Sequence, residues 1–333
     1  MSLAGNRPRV VVLGAGGFIG GHLLQRLESS GRFQVRGAAR GCVSPGRDDD
    51  MRFDLSDVSS IRRVIGDVDV VVNCTKGDRR TIEAGTAALI DACSSAGRPP
   101  RFIHLSSMSV YGDVTGRVDE AHALAEHGNW YVKAKVSSDR AVGAWGAGGH
   151  PVLILRPGVV IGSGDHHWTH RLPRLVMRGS LGNLGDAGSG GANLLHVDDL
   201  TAVIESCLSM DQWQSSVLNV AAPGYGTWND VFGTIAACCP RAPDRRVGRI
   251  KLLWESRARA PVVLLAERLS RSTPFGRPKG DPPTVLTPSM TRLFASNIDL
   301  DTTKLTAMVD VPWVPPRVAL AQATRWALSN GSA

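Results

Sequence analysis

The chain has 333 residues, 43% hydrophobic and 20% charged, proportions of an ordinary globule that disfavour both a disordered chain and a membrane-spanning one. Its 38 Lys and Arg outnumber 30 Asp and Glu, a net +8 that suits anionic ligands such as phosphorylated cofactors and equally fits compositional bias; without a basic stripe interleaved with aromatics, nucleic acid is not an expected partner. Cys42, Cys74, Cys93, Cys207, Cys238 and Cys239 form no C-x-x-C pair or zinc spacing and read as core thiols of a reducing cytoplasm, and no apolar run reaches the roughly 18 residues of a membrane span.

The first predicted element is the run Val10 to Leu13, which enters Gly14-Ala15-Gly16-Gly17-Phe18-Ile19-Gly20 and then Leu23, Leu24 and Leu27 at helical spacing. This is the pattern of a buried parallel strand feeding a helix. Gly14, Gly17 and Gly20 let the backbone turn tightly, approach a ligand and pack helix against strand, with helix N–H groups aimed at a pyrophosphate. Gly16 permits a partial match to Gly-x-Gly-x-x-Gly as well.

Further strands are predicted over 33–40, 51–55, 68–74, 101–105 and 151–158, with helices over about 81–96 and from Asn129 onward. Strands alternating with helices give an α/β fold, a doubly wound parallel sheet of Rossmann type. Beyond about Val160 the pattern loosens into glycine-rich loops, then 194–200 reads as a short strand and a capped helix, 217–220 as a returning strand and 316–329 as a final helix. The expected division is a cofactor domain over 1–162 and about 193–222, with a smaller, discontinuous C-terminal substrate lobe over about 163–192 and 223–333. Within the lobe, 250–254 and 261–265 flank charged turns. Pro261 interrupts their periodicity, so packing against the lobe or a second subunit is preferred over a basic amphipathic element at a membrane surface.

Tyr131 and Lys135 stand four apart and share a helix face. A phenol titrates near pH 10, so acid or base work near neutrality needs a neighbouring cation such as Lys135. Upstream, 101–112 reads as a strand followed by a serine loop with Ser106, Ser107, Met108 and Ser109.

The glycine turn, serine loop, Tyr131/Lys135 helix and Arg156-Pro157-Gly158 strand end, in that order, resemble the extended branch of the short-chain dehydrogenase/reductase superfamily, the NAD(P)-dependent epimerase/dehydratase family. The resemblance implies a cofactor held by Gly14, Gly17, Phe18, Ile19 and Gly20, by Cys74 and Thr75 along its ribose and phosphates, and by Pro157 and Gly158 at the carboxamide. It places Asp54 and the Leu55 backbone at the adenine, although Asp54 reads equally as a helix cap. Ala39 stands where a ribose-binding acid would be and Arg40 follows, so NADP(H) is favoured, with NAD(H) the alternative, because a guanidinium suits a 2′-phosphate.

Ser107 is expected to polarise a substrate oxygen toward Tyr131, while Lys135 supports the phenol and holds the nicotinamide ribose. Met108 and Ser109 replace the Asp-Glu pair of dehydratases, which disfavours dehydration, and Ala192 replaces an arginine that contacts the substrate diphosphate in many relatives. The expected activity is an NADP(H)-dependent ketoreductase or alcohol dehydrogenase on a small-molecule substrate, a sugar nucleotide or related secondary-metabolite carbonyl. A nucleotide-sugar epimerase is the alternative; a sterol-like alcohol dehydrogenase, suggested by 225–230, and a non-catalytic NADP(H) sensor follow. His166, His167 and His170 lack a carboxylate shell by spacing and no metal is expected. His196 is expected to satisfy a loop, and Asp198 or Asp199 to cap a helix. Pairing of the helices 81–96 and 131–142 implies a homodimer.

Overall fold

The computed structural model describes residues 7–41, 51–210, 214–239, 246–271 and 284–330; Cys42 lies outside them. In chain order the elements are β1 (Arg9–Leu13), α1 (Phe18–Ser30), β2 (Gln34–Ala39), β3 (Met51–Arg52), α2 (Val58–Ile65), β4 (Val70–Asn73), α3 (Arg79–Ser94), β5 (Arg101–Leu105), β6 (Gly116–Val118), α4 (Trp130–Ala147), β7 (Val152–Pro157) and β8 (Val159–Ile161). There follow α5 (Arg171–Met177), β9 (Leu194–His196), α6 (Val197–Leu208), β10 (Ser216–Val220), α7 (Trp228–Ala237), α8 (Arg249–Leu253), α9 (Ala260–Arg271), α10 (Pro288–Ala295), β11 (Ile298–Leu300), α11 (Thr303–Met308) and α12 (Pro316–Ser329).

Seven strands form one parallel sheet in the order β10-β7-β5-β4-β1-β2-β3. Their near-continuous apolar runs follow from burial on both faces. In β1, Val10 and Val12 enter one core with Ile103 and Leu153, while Val11 and Leu13 enter the other with Phe102 and Ile154. Strand β1 pairs with β2 on one side and β4 on the other, so the connection order reverses there and a crevice opens beyond the strands' carboxyl ends.

Two small parallel pairs, β8 with β9 and β6 with β11, lie outside the main sheet. The second joins 116–118 to 298–300. Strands β6, β8 and β11 have three residues each, too few to show a period in sequence.

Several local expectations are corrected. Helix α3 starts at Arg79 because the Asp78 carboxylate accepts from the Thr81 N–H at 2.8 Å. Asp57, not Asp54, caps α2; Asp54 accepts from the Ser56 N–H at 2.9 Å in a turn of its own. His196 itself caps α6, its Nδ1 accepting from the Asp198 N–H while Asp199 accepts from the His196 N–H. The charged turn expected between 254 and 261 is a π-helical turn over Trp254–Arg259 that runs from α8 into α9. The wider turn accommodates Pro261, which has no N–H to donate. On α9, Val262, Leu264 and Leu265 are exposed. No described helix is long and apolar enough to cross a membrane.

Candidate active site

The turn after β1 is built around close approach. Gly14 has φ 82° and donates its N–H to the Ala38 carbonyl at 2.8 Å; a Cβ there would stand 2.9 Å from the Cys74 oxygen and 3.1 Å from the Thr75 nitrogen. A Cβ on Gly20 would reach 2.8 Å from the Gly14 carbonyl carbon. Gly17 begins α1 with no capping side chain, and the first turn, which includes Phe18 and Ile19, carries no acid. The N-terminal N–H groups and the helix dipole therefore face the crevice open to an anion. This cradle fits the pyrophosphate of a dinucleotide.

Arg40 is exposed just after β2, and the Phe53 N–H donates to the Ala39 carbonyl at 2.9 Å, which brings the exposed Asp54 to the same edge. Leu55 is buried beneath, against Gly85. At the end of β4 the Cys74 N–H bonds the Leu13 carbonyl, and Thr75 donates from its backbone and its hydroxyl to Asn73 Oδ1 at 3.1 and 2.6 Å. Burial pushes the Cys74 thiol up to about 12, so it stays an inert, small wall. Lys76 is exposed, and its charge is felt across the crevice by His167, which burial and then Arg171 and Lys76 hold below the ordinary imidazole range.

Tyr131 lies in the first turn of α4, fixed by Asn129, whose Oδ1 accepts from the Tyr131 and Val132 N–H groups at 2.9 and 3.1 Å. The residue is 37% exposed, and burial of its phenol end raises the group above its ordinary value, an effect that the neighbouring Ser107 hydroxyl opposes. One turn on, Lys135 is buried and donates from Nζ to the Leu105 carbonyl at 2.7 Å. Desolvation pushes it down to about 8, against the pull of Cys74 and Asp139. Ser107, Tyr131 and Lys135 thus converge at the carboxyl end of β5.

Pro157 and Gly158 end β7 at the same edge, but the Gly158 N–H is engaged with the Val220 carbonyl at 2.9 Å. Glycine is needed there because the Asn193 carbonyl lies against its Cα. Among the described residues no three His, Cys, Asp or Glu side chains gather as a metal shell.

Two polar chains brace the site, and the motif pattern did not announce them. In the first, Asn73 Nδ2 lies 3.3 Å from His104 Nδ1, His104 Nε2 lies 3.3 Å from the Ser138 hydroxyl, and that hydroxyl donates to the Lys135 carbonyl at 3.0 Å. Since Asn73 Nδ2 and the Ser138 hydroxyl fix the donors, His104 carries its proton on Nε2. Burial and then Lys135 push its pKa down to about 3, which keeps the imidazole neutral.

In the second, Ser106 donates to Asp139 at 2.6 Å, and Arg156 grips the same carboxylate through Nε at 3.0 Å and Nη2 at 2.7 Å. Arg156 Nη1 also donates to the Tyr111 hydroxyl at 3.0 Å, and Tyr111 donates to Asn219 Oδ1 at 2.6 Å. Asn219 reaches on to the carbonyls of Val118 and Asp301. Ser106 is therefore engaged in the core, while the Ser107 hydroxyl accepts from the Ser109 N–H at 3.2 Å. A signal was present: Asp139 stands four residues after Lys135, and Arg156 is the one charge in an otherwise apolar strand.

The NAD dependent epimerase/dehydratase family model matches residues 10–221. A dTDP-6-deoxy-L-talose 4-dehydrogenase (NAD(P)(+)) of Kitasatospora kifunensis is 31% identical over 174 residues, 47% of this chain and 54% of that protein. The chain thus spans about half the length of that relative. A UDP-glucose 4-epimerase of Vibrio cholerae is 24% identical over 235 residues, 64% of this chain and 70% of that protein. The UDP-glucuronic acid 4-epimerase of Bacillus cereus, solved in complex with NAD, superimposes with a TM-score of 0.70 at 18% identity, covering 96% of each chain; at that identity the likeness is one of fold. With the family model spanning well over half the chain and its glycine cradle in place, this protein belongs to the NAD dependent epimerase/dehydratase family, a family of NAD(P)-dependent enzymes.

Proposed function

We propose that the chain is an NADP(H)-dependent oxidoreductase acting on a carbonyl or secondary alcohol of a nucleotide-linked sugar or a related metabolite, with Tyr131 as general acid/base. The observation that carries this reading is the placement of the Ser107 hydroxyl beside the Tyr131 phenol, one helical turn before the buried Lys135 ammonium. The two named relatives, a sugar 4-dehydrogenase and a sugar 4-epimerase, support the substrate class.

When bound, the nicotinamide supplies or accepts the hydride. The chain's own residues handle the oxygen and its proton. Ser107 donates to the substrate oxygen and orients it toward Tyr131. Burial keeps the Tyr131 phenol protonated, the form that gives a proton to an oxygen becoming an alkoxide, and the Lys135 charge stabilises the phenolate left behind. Arg40 binds the 2′-phosphate, and the α1 N-terminus with Gly14, Gly17 and Gly20 holds the pyrophosphate. Residues 163–192 and 223–333 supply the substrate lobe over the cofactor domain of 1–162 and 193–222. The chain pairs as a homodimer through α3 and α4, checked by sedimentation equilibrium.

The test is the nucleotide that copurifies, together with turnover of Tyr131→Phe. Exchangeable NADP(H), with cofactor binding kept and turnover lost in Tyr131→Phe, supports the proposal. Undiminished turnover in that variant removes the assigned role.

A second reading is favoured by the Vibrio cholerae relative: an epimerase in which the same tyrosine works on both faces of a rotated keto intermediate. Tightly retained NAD and interconversion of sugar epimers without net cofactor consumption select it.

A further inference from the structure

The α8, π-turn and α9 segments form one continuous helix over residues 249–271, roughly 35 Å long at 1.5 Å per residue. Its inner side is anchored at the π-turn. Lys251 donates to the Gly179 carbonyl at 2.8 Å, and the buried Glu255 accepts from Ser180 and from Arg259. Its outer side is apolar. Ile250, Trp254, Val262, Leu265 and Leu269 recur at helical spacing, each more than half exposed, with Ile250 at 86%. Contiguous apolar surface of this kind marks a binding face.

Charge identifies the partner. Residues 245–279 contain ten Lys and Arg against two acids, so this stretch carries a formal +8, equal to the net charge of all 333 residues, and the remainder is balanced. A second copy meeting the same face would bring two such segments together, and like charges oppose that pairing. An apolar outer side on a helix set in so basic a segment matches the boundary of lipid headgroups and acyl chains, where arginine and lysine meet the headgroup phosphates.

We propose that the helix over 249–271 seats this protein on an anionic lipid surface, with Ile250, Trp254, Val262, Leu265 and Leu269 entering the headgroup boundary and the exposed Arg249 and Arg257 meeting lipid phosphates. The inference is independent of the catalytic reading.

The test is co-sedimentation of the purified full-length protein with phosphatidylcholine vesicles that do or do not contain phosphatidylglycerol. At low salt the partition coefficient is expected to be about tenfold or more higher with the anionic lipid. It should collapse at about 1 M salt, where the Debye length is about 3 Å. The double substitution Ile250→Glu with Leu265→Glu lies on exposed positions, so it is expected to abolish binding without changing the thermal midpoint. No binding to anionic vesicles at low salt overturns the proposal, as does binding indifferent to lipid charge. A wild-type dimer that this double substitution converts to monomer, with no vesicle binding in either form, assigns the face to a second copy and overturns it too.

Discussion

Gly20 faces Gly14 across the first turn so closely that a methyl group on Gly20 would stand 2.8 Å from the Gly14 carbonyl carbon, with Ala15 Cα at 3.0 Å. Backbone atoms on both sides leave no flexible side chain to move aside. Gly20→Ala is therefore expected to cost about 1–3 kcal/mol in overpacking and to weaken dinucleotide binding, measured by thermal midpoint and by cofactor titration. Gly16→Ala meets only the Ala39 methyl at 3.4 Å and is expected to leave both unchanged. An equal loss in the two variants would show that Gly14-x-x-Gly17-x-x-Gly20 is not the working frame of the turn.

Lys135 gives a pH-dependent prediction of defined sign. Its folded pKa of about 8 lies below its ordinary 10.5, so between those values the unfolded chain binds more protons and stability rises with pH. The cost of burying the ammonium is complete below pH 8 and disappears as pH climbs to 10.5. Lys135→Met is expected to stabilise the cofactor-free protein below pH 8 by up to about 3 kcal/mol, less the bond to Leu105. The gain should shrink across pH 8–10.5 while turnover is lost at every pH. Denaturant titrations on both proteins at several pH values check this; a gain that grows with pH contradicts it.

Arg40 is expected to set cofactor choice. Removing a charge-assisted contact to a phosphate costs about 1.5–3 kcal/mol, so Arg40→Ala should raise the KM for NADPH about tenfold to a hundredfold and leave that for NADH unchanged. Steady-state kinetics with both cofactors decide it, and equal changes in the two would remove Arg40 from the 2′-phosphate.

The buried Asp139–Arg156 pair, with side chains 3% and 5% exposed, is expected to respond asymmetrically. Asp139→Ala strands a buried guanidinium and should cost about 3–5 kcal/mol, read as a lower urea midpoint. Asp139→Asn keeps an acceptor for Arg156 and for Ser106 and should cost clearly less. Equal losses would mean that charge, not hydrogen-bond geometry, governs the pair.

The features legible in sequence were those whose cause is local. Val10 to Leu13 is apolar because both faces of the sheet are covered, and Gly14 and Gly20 stand where backbone meets backbone; each leaves a mark within a few residues. The four-residue spacing of Tyr131 and Lys135 fixed their shared helix face in the same way, and the structure brings Ser107 to the Tyr131 phenol. Elements decided by distant partners were not legible. Strands β6 and β11 exist because each has the other, across about 180 residues. His196 was missed as a cap because imidazole is an uncommon choice at that position, and only the fold shows its Nδ1 over the first turn of α6. The helix passing through Pro261 was hidden by a rule that holds for α-helices, which the π-turn evades.

The small β6–β11 pair also bears on when activity can begin. Arg117 is tied to Asp301 at 2.9 Å, and Asn219, which receives the Tyr111 hydroxyl, reaches the Asp301 carbonyl. The brace behind the serine loop is thus finished by a residue made long after Lys135. At roughly 5–20 residues per second of synthesis, the nascent polypeptide carries Tyr131 and Lys135 for on the order of ten seconds before that last strut emerges. A ribosome-bound fragment ending before Asp301 would therefore carry the tyrosine and lysine without their full support, and competence would come only near the close of translation.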